Sequence, residues 1–435
     1  MATYDDIIVK RGALSLIAAA FSRHWPGRTP LIVADRNTWL AAGEVVADRF
    51  QEHGIHTEQL VFDEQQLHPD YDHVKQVKER LDAVGALIAI AVGSGSLNDV
   101  VKLASYEAGR TYCCVPTAPS VDGYTSANAP ITIDSFKQTI VCAPPLIVVA
   151  DVDVLKDAPL WLISSGYGDL VAKVAGGGDW IIADALSIEK IDQNVWNLVQ
   201  GPLPERIAHP QSIIAREHAV IDQLFSGLVE TGLAMKLFGN SRPASGGEHL
   251  LSHVWEMKGL AVEGKEVSHG FKVALGTLIT TAMMTLVREL SWESVQEISL
   301  NTDLHDDWQG ELGRLLGEPL ESDVLSLAKA KQLDGEHLQI RRDLIAKQWK
   351  EIGDRLEGQL IAFTELHSML AEAKCPTEPA EIGLDRETMA YAMRKARVIR
   401  PRYTIFDLAY ECGILEYMIE EVVYSNRFFN NFLER

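Results

Sequence analysis

The run from Ala86 to Lys102 sets the tightest limit on how this chain folds. Ala86-Leu-Ile-Ala-Ile-Ala-Val92 is apolar without a break, and Gly93-Ser-Gly-Ser96 follows at once. A helical pattern then begins, with Val100, Val101 and Leu103 on one side. The order is strand, glycine turn, helix. Gly93 and Gly95 are expected to take positive φ and to let the backbone approach a ligand. The open N–H groups and positive dipole end of the new helix suit a phosphate or pyrophosphate. Asn98 stands where the full G-x-G-x-x-G fingerprint has its third glycine, so the turn alone also fits an ordinary strand-to-helix connection.

The same alternation extends over the first 150 residues or so. Leu31–Ala34, Thr57–Phe62, Ala86–Val92, Tyr112–Val115, Thr132–Ile133 and Leu146–Ala150 read as strands, and Leu40–Gln51 and His73–Ala83 as helices. This βαβ order predicts an open, largely parallel sheet that binds ligands beyond the carboxyl ends of its strands. Asp35, Gly93 to Ser96 and Thr117 fall at such ends. After about Asp157 the strand signals stop. Leu162–Ala185, His209–Phe238, Ser245–Leu260, His269–Leu290 and His337–Glu372 carry helical periodicity, and the chain from Arg386 onward is mostly helical. The expectation is therefore an α/β nucleotide-binding domain over 1–156 and an all-α domain over 157–435, with a polar, acidic insertion or subdomain around 300–335.

A length of 435 residues favours two domains over one core. The net charge of −21 argues against nucleic-acid or anionic-membrane partners, which require basic patches. Five cysteines, none in a CxxC pair, argue against a disulfide framework or a zinc–cysteine site and fit a reducing cytoplasm. The N-terminus lacks the basic and apolar regions of a signal peptide, and no run of 18 apolar residues occurs. No membrane partner is expected.

Three places in the helical half carry chemistry. Gly166-Tyr-Gly-Asp169-Leu puts an acid inside a small, apolar helix. Glu248-His249-Leu-Leu-Ser-His253 has two histidines four apart, hence on one helix face. Ser268-His269-Gly270 opens another helix. One carboxylate and two imidazoles make an open divalent site that Zn, Ni or Fe would suit, with room for a substrate oxygen. Each residue alone is weak, because a lone helical histidine is more often a hydrogen-bonded core or surface group, and the chain has 13 histidines.

Taken in order, these motifs resemble the superfamily of iron-containing alcohol dehydrogenases and dehydroquinate synthases. Within it they are most similar to the sn-glycerol-1-phosphate dehydrogenases, particularly the longer bacterial type. The resemblance rests on Gly93-Ser-Gly-Ser-Leu-Asn-Asp-Val-Val-Lys102, Val115-Pro-Thr-Ala-Pro-Ser-Val-Asp-Gly-Tyr124, Ala150-Asp151, Gly166-Tyr-Gly-Asp-Leu170, Ser241-Arg-Pro-Ala-Ser-Gly-Gly-Glu-His249 and His269-Gly270. It implies a dehydroquinate synthase-like fold, a nucleotide-binding α/β domain followed by a helical metal-binding domain, with the active site in the cleft between them.

The resemblance also implies roles. Asp169, His249 and His269 would hold one divalent metal. Gly93, Gly95, Ser96 and Asp99 would bind the dinucleotide. Thr117 and Ser120 would line the nicotinamide end, with Lys137 near the nicotinamide ribose. Asp35 would bind the adenosine ribose and favour NAD, whereas Arg36 beside it would suit the 2′-phosphate of NADP. Asp122 would sit beside the metal near the substrate hydroxyls, and His253 would bind substrate or relay a proton. Arg242, seven residues before His249, would bind a substrate phosphate bidentately; the plain alternative is a surface arginine. Arg397, Arg400 and Arg402 would form either an anionic pocket or lid, or an exposed basic edge.

The implied enzyme is a cytoplasmic, homo-oligomeric, NAD- or NADP-linked metal oxidoreductase interconverting sn-glycerol 1-phosphate and dihydroxyacetone phosphate. The alternatives are a dehydrogenase of an unphosphorylated or different phosphorylated polyol, a dehydroquinate synthase-like lyase, and a non-catalytic nucleotide-binding protein.

Overall fold

The computed structural model describes residues 7–64, 67–134, 136–300, 312–313, 322–333 and 335–434. Most of the expected 300–335 insertion lies outside the described residues. By internal contacts the chain divides into two units, one formed by 1–170 and 202–239, the other by 171–201 and 240–435. The division differs from a boundary after residue 156, because residues 157–170 and 202–239 cluster with the sheet.

The first unit is built on a six-stranded parallel sheet. Its strands are β1 (Ile7–Lys10), β2 (Thr29–Asp35), β3 (Glu58–Phe62), β4 (Leu87–Gly93), β5 (Cys113–Pro116) and β8 (Ile147–Asp151), in the order β1-β8-β5-β4-β2-β3. Between β5 and β8 the chain forms a separate antiparallel hairpin, β6 (Asn128–Ile133) and β7 (Phe136–Val141). Thr132–Ile133 thus belongs to this hairpin, not to the main sheet. β1 was not expected; it is a four-residue edge strand paired only with β8.

The longer helices of this unit are α1 (Ile17–His24), α2 (Glu44–Glu52), α3 (Tyr71–Ala83), α4 (Gly95–Glu107), α5 (Leu160–Val171, its last residue in the second unit) and, after residue 202, α7 (His218–Phe238). Ile32, Ala34, Ile88, Ile90, Val92, Cys113, Val115, Ile147 and Val149 alternate along four strands and share a core with Phe21 of α1 and Val46 and Phe50 of α2. The intervening Leu31, Val33, Leu87, Ala89, Ala91 and Val148 are equally buried. A sheet covered on both faces explains why the strands read as continuous apolar runs. The strand order reverses between β2 and β4, whose carboxyl ends carry Asp35 and Gly93. Such a switch point is where open α/β sheets bind ligands.

The second unit comprises α6 (Lys173–Ala185), α8 (Gly247–Met257), α9 (His269–Glu289), α10 (Gly335–Gln359), α11 (Phe363–Glu372), α12 (Arg386–Ala396) and α13 (Ile405–Glu411), with further helical segments between them. Two-residue strands at Ala261–Val262 and Lys265–Glu266 interrupt the expected all-helical pattern. α9 packs against α6, α8, α10 and α11. It is long and apolar enough to cross a membrane, but 89% of its most apolar window is buried inside the protein. A helix apolar on every side is here the centre of a core. Gly276 of α9 permits a close approach to α8: a Cβ there would lie 2.5 Å from the carbonyl oxygen of Glu248.

Candidate active site

The glycine turn ends β4 and opens α4. Asn98 makes the first intrahelical bond, to the Ser94 carbonyl at 3.0 Å, so the N–H groups of Gly95, Ser96 and Leu97 have no acceptor within the helix. Neither Gly93 nor Gly95 has positive φ, which corrects the sequence expectation. Glycine is needed there for space: a Cβ at Gly93 would lie 2.4 Å from the Leu97 side chain, and one at Gly95 2.8 Å from that of Val121. Thr117 stands directly beside the turn, its N–H donating to the Gly93 carbonyl at 3.1 Å. Asp35 is buried at the end of β2, where its Oδ1 accepts the Thr38 N–H at 2.8 Å. Arg36 pairs on the surface with Asp63. Lys137 pairs with Thr132 across the hairpin, and its side chain lies outside the described residues.

Asp99 does not point openly at a ligand. Its Oδ1 lies 3.1 Å from the Nζ of fully buried Lys102. The same ammonium donates to the carbonyls of Gly123 at 2.8 Å and Asn128 at 2.9 Å. Lys102 therefore clamps the loop that carries Asp122, a role the sequence reading missed. Ser120 and Asp122 are buried in that loop. The loop lies against α5, where a Cβ on Gly166 would come within 1.7 Å of the Pro119 carbonyl oxygen. This approach brings the Asp122 N–H to the Oδ2 of Asp169 at 2.9 Å. Asp169 itself is completely buried.

In the second unit, His249, His253 and Glu256 share one face of α8, and His269 is the first residue of α9, capped by Ser268. The His249 and His269 rings are 5.3 Å apart, and those of His253 and His269 are 6.4 Å apart. All three imidazoles meet a carboxylate through Nδ1. His249 meets Glu248 Oε1 at 2.8 Å, His269 meets Glu256 Oε1 at 3.1 Å, and His253 meets Glu256 Oε2 at 3.3 Å. An ionised carboxylate only accepts hydrogen bonds, so Nδ1 carries the proton and Nε2 keeps its lone pair. Burial pushes the Glu248 carboxyl up, but His249 and the Gly246 N–H outweigh it and hold the group below its ordinary range. Removal from water, reinforced by the neighbouring His269 and His249, pushes the His253 imidazole down to about 4 against the pull of Glu256. The ring is neutral at physiological pH.

Arg242 does not have the open guanidinium that phosphate binding requires. The side chain is fully enclosed, with Nη1 donating to the Tyr403 carbonyl at 2.9 Å, Nη2 to the Asp179 carbonyl at 2.9 Å, and Nε 3.2 Å from Glu189 Oε2. The three tail arginines also separate. Arg397 stacks on the Tyr410 ring at 3.6 Å, Arg400 is exposed, and Arg402 donates to the Ser245 carbonyl at 2.6 Å and to Ser241 Oγ at 2.6 Å. Lys331 holds this segment through the carbonyls of Arg397 and Arg402 and through Asp407. Apart from exposed Arg400, the expected basic edge is tied into the protein: Arg397 is buried against Tyr410, and half-buried Arg402 braces the loop before α8.

Comparison with known proteins agrees with this architecture. The family described as iron-containing alcohol dehydrogenase matches residues 8–159. The chain is 31% identical to the glycerol-1-phosphate dehydrogenase [NAD(P)+] of Geobacillus thermodenitrificans over 91% of its own length and 93% of that protein. The chain belongs to the glycerol-1-phosphate dehydrogenase family. A second member, from Halalkalibacterium halodurans, is 36% identical over 58% of this chain; there the match spans only 64% of the relative. Among solved structures, glycerol dehydrogenase from Schizosaccharomyces pombe is similar in fold, with a TM-score of 0.60, 16% identity and coverage of 99% of this chain and 96% of the other. The fold is thus that of the glycerol dehydrogenases and iron-containing alcohol dehydrogenases, an α/β domain followed by helices, as the motifs led one to expect.

Proposed function

We propose that this chain catalyses the reversible oxidation of sn-glycerol 1-phosphate by NAD+ or NADP+, giving dihydroxyacetone phosphate, NAD(P)H and a proton, with one divalent metal. The observation that carries the metal-dependent reading is the set of imidazoles whose Nδ1 atoms are all committed to carboxylates. This leaves Nε2 on His249 and His269 as donors suited to Zn, Ni or Fe, and Asp169 adds a buried carboxylate oxygen. The residues fit the group, and His249, His269 and Asp169 hold it in this reading. Bound there, the metal supplies a Lewis acid for the substrate oxygen, while the dinucleotide supplies the hydride acceptor.

The chain's own residues do the remaining work. The open N–H groups of Gly95 and Ser96 receive the pyrophosphate, with Gly93 leaving the space for it, and Asp99 fixes the α4 turn through Lys102. Asp35 takes the adenosine ribose. Thr117 and Ser120 border the nicotinamide, and Lys137 lies toward its ribose. Asp122 hydrogen-bonds a substrate hydroxyl, and neutral His253 accepts at Nε2 the proton that the reacting hydroxyl loses. Arg242 serves the substrate indirectly, by bracing the Ser241–Gly247 loop. The protein acts in the cytoplasm as a homo-oligomer in this reading, and its five buried cysteines, none of them in a disulfide, fit a reducing compartment.

The test is turnover of purified, metal-loaded protein with sn-glycerol 1-phosphate, sn-glycerol 3-phosphate and glycerol, each with NAD+ and NADP+. The first substrate is expected to give the highest kcat/KM. A preference for glycerol would replace this reading with that of a free-polyol dehydrogenase.

A further inference from the structure

Glu256 has an unusual position among the buried acids of the second unit. Its side chain is 6% exposed, yet its two oxygens go to different histidines. Oε1 lies 3.1 Å from His269 Nδ1, and Oε2 lies 3.3 Å from His253 Nδ1. The buried ammonium of Lys272 stands 3.2 Å from Oε1 and supplies the counter-charge that a buried carboxylate needs. Lys272 in turn reaches Glu266 at 3.3 Å. His249 has its own carboxylate, Glu248, so Glu256 is not a spare partner for that ring.

We propose that Glu256 is a positioning residue that sets the tautomer and ring orientation of His269 and His253 together, joining the metal-holding imidazole to the proton-accepting one. The inference rests on the metal reading given above. Its chemistry follows from the acceptor count. One carboxylate offers acceptors to both Nδ1–H groups, so both rings are held with Nε2 unprotonated. A carboxamide of the same shape offers one oxygen and one NH2, so it can serve only one ring as acceptor and faces the other with donors. A partner behind a metal-binding histidine typically contributes 10–100-fold to metal affinity. Glu256 differs from the usual case because the second ring it holds belongs to the proton path.

The experiment is a Co2+ titration of metal-stripped full-length protein, followed by the visible d–d absorption band and by equilibrium dialysis. Wild type is expected to bind one equivalent, and His249→Ala to lose binding. Glu256→Gln is expected to bind Co2+ about 10–100-fold more weakly with a shifted band, and to lower kcat while leaving KM for NAD(P)+ unchanged. If Glu256→Gln does not fold by circular dichroism, Glu256→Asp carries the test, because it keeps the buried charge that Lys272 balances but, one methylene shorter, withdraws its oxygens from the two Nδ1 atoms they meet at 3.1 and 3.3 Å; its Co2+ affinity is then expected to fall with the same band shift. Wild-type affinity and an unchanged band in the folded variant would overturn the role of Glu256 while the metal reading stands. Failure of wild type itself to bind Co2+, or unimpaired binding by His249→Ala, would instead overturn the metal reading and this inference with it.

Discussion

Arg242 donates to the main-chain carbonyl of Tyr403 at 2.9 Å, joining the loop before α8 to the segment before α13. The same guanidinium bonds the Asp179 carbonyl and lies against the Glu189 carboxylate, so it is a three-point brace with no exposed surface. Removing one partner of a buried charge pair costs about 3–5 kcal/mol. Arg242→Ala is therefore expected to lose stability of that order in urea unfolding. Arg242→Lys is expected to recover only part of it, because an ammonium cannot span three divergent acceptors. A variant with wild-type unfolding and a raised KM for the phosphorylated substrate alone would return Arg242 to direct phosphate contact.

Asp179 makes stability depend on pH in the direction opposite to most carboxylates. Burial first, then the nearby Glu248, raises its pKa from 3.8 to about 7. The folded state therefore holds a proton that the unfolded chain releases. The resulting stabilisation is complete below pH 3.8 and is lost as pH rises toward about 7. Asp179→Asn is expected to be less stable than wild type at pH 5, because Asp179 accepts the N–H groups of Gly247 and Ile405, both at 2.6 Å. Its urea midpoint should also fall less between pH 5 and 8 than that of wild type. Parallel midpoint curves for the two proteins would refute the assignment.

Much of this architecture was legible because its signals are local. The doubly covered sheet forces apolar runs such as Leu87–Val92, and the glycine turn follows within the same stretch. His249 and His253 share a helix face by spacing alone. So does Glu256, three residues beyond His253, although nothing local said that it would also meet His269 on another helix. The fate of Arg242 was illegible for the same reason, since its partners lie at positions 179, 189 and 403. The interval Leu162–Ala185 read as one helix; the structure breaks it at Ala172, where no glycine or proline marks the break. β1 escaped notice because four residues on a sheet edge carry too short a pattern.

Metal removal gives a third prediction. If Nε2 of His249 and His269 belong to a metal site, a ligand that binds only the folded protein stabilises it by about 2.7 kcal/mol when present at 100 times its Kd. Prolonged chelation should lower the melting temperature and abolish NAD(P)-linked turnover, and Zn2+, Ni2+ or Fe2+ should restore the melting temperature in a concentration-dependent way. His249→Ala should already melt at the chelated temperature and show no response to added metal. An equal shift in His249→Ala on adding metal would place the binding elsewhere.

The position least tolerant of change is predicted to be Gly166. Its missing Cβ admits the Pro119 carbonyl, because an added carbon would stand 1.7 Å from that oxygen, a backbone atom that cannot rotate away. Overpacking in a fitted core usually costs about 1–3 kcal/mol, and an obstruction by rigid backbone on both sides belongs at or above the top of that range. Gly166→Ala must either push α5 outward or shift the loop, and both lengthen the 2.9 Å bond from the Asp122 N–H to Asp169 Oδ2. Asp169 would then lose a donor that fixes its carboxylate, and Asp122 its placement. The variant is expected to unfold at lower urea and, in the fraction that remains folded, to hold less metal by elemental analysis. A control at Gly353, inside α10 where a Cβ meets nothing within 4 Å, should raise the urea midpoint slightly, as alanine does in a helix interior, and leave the metal content unchanged. Equal behaviour of Gly166→Ala and Gly353→Ala would show that the loop and α5 do not meet as closely as the geometry requires.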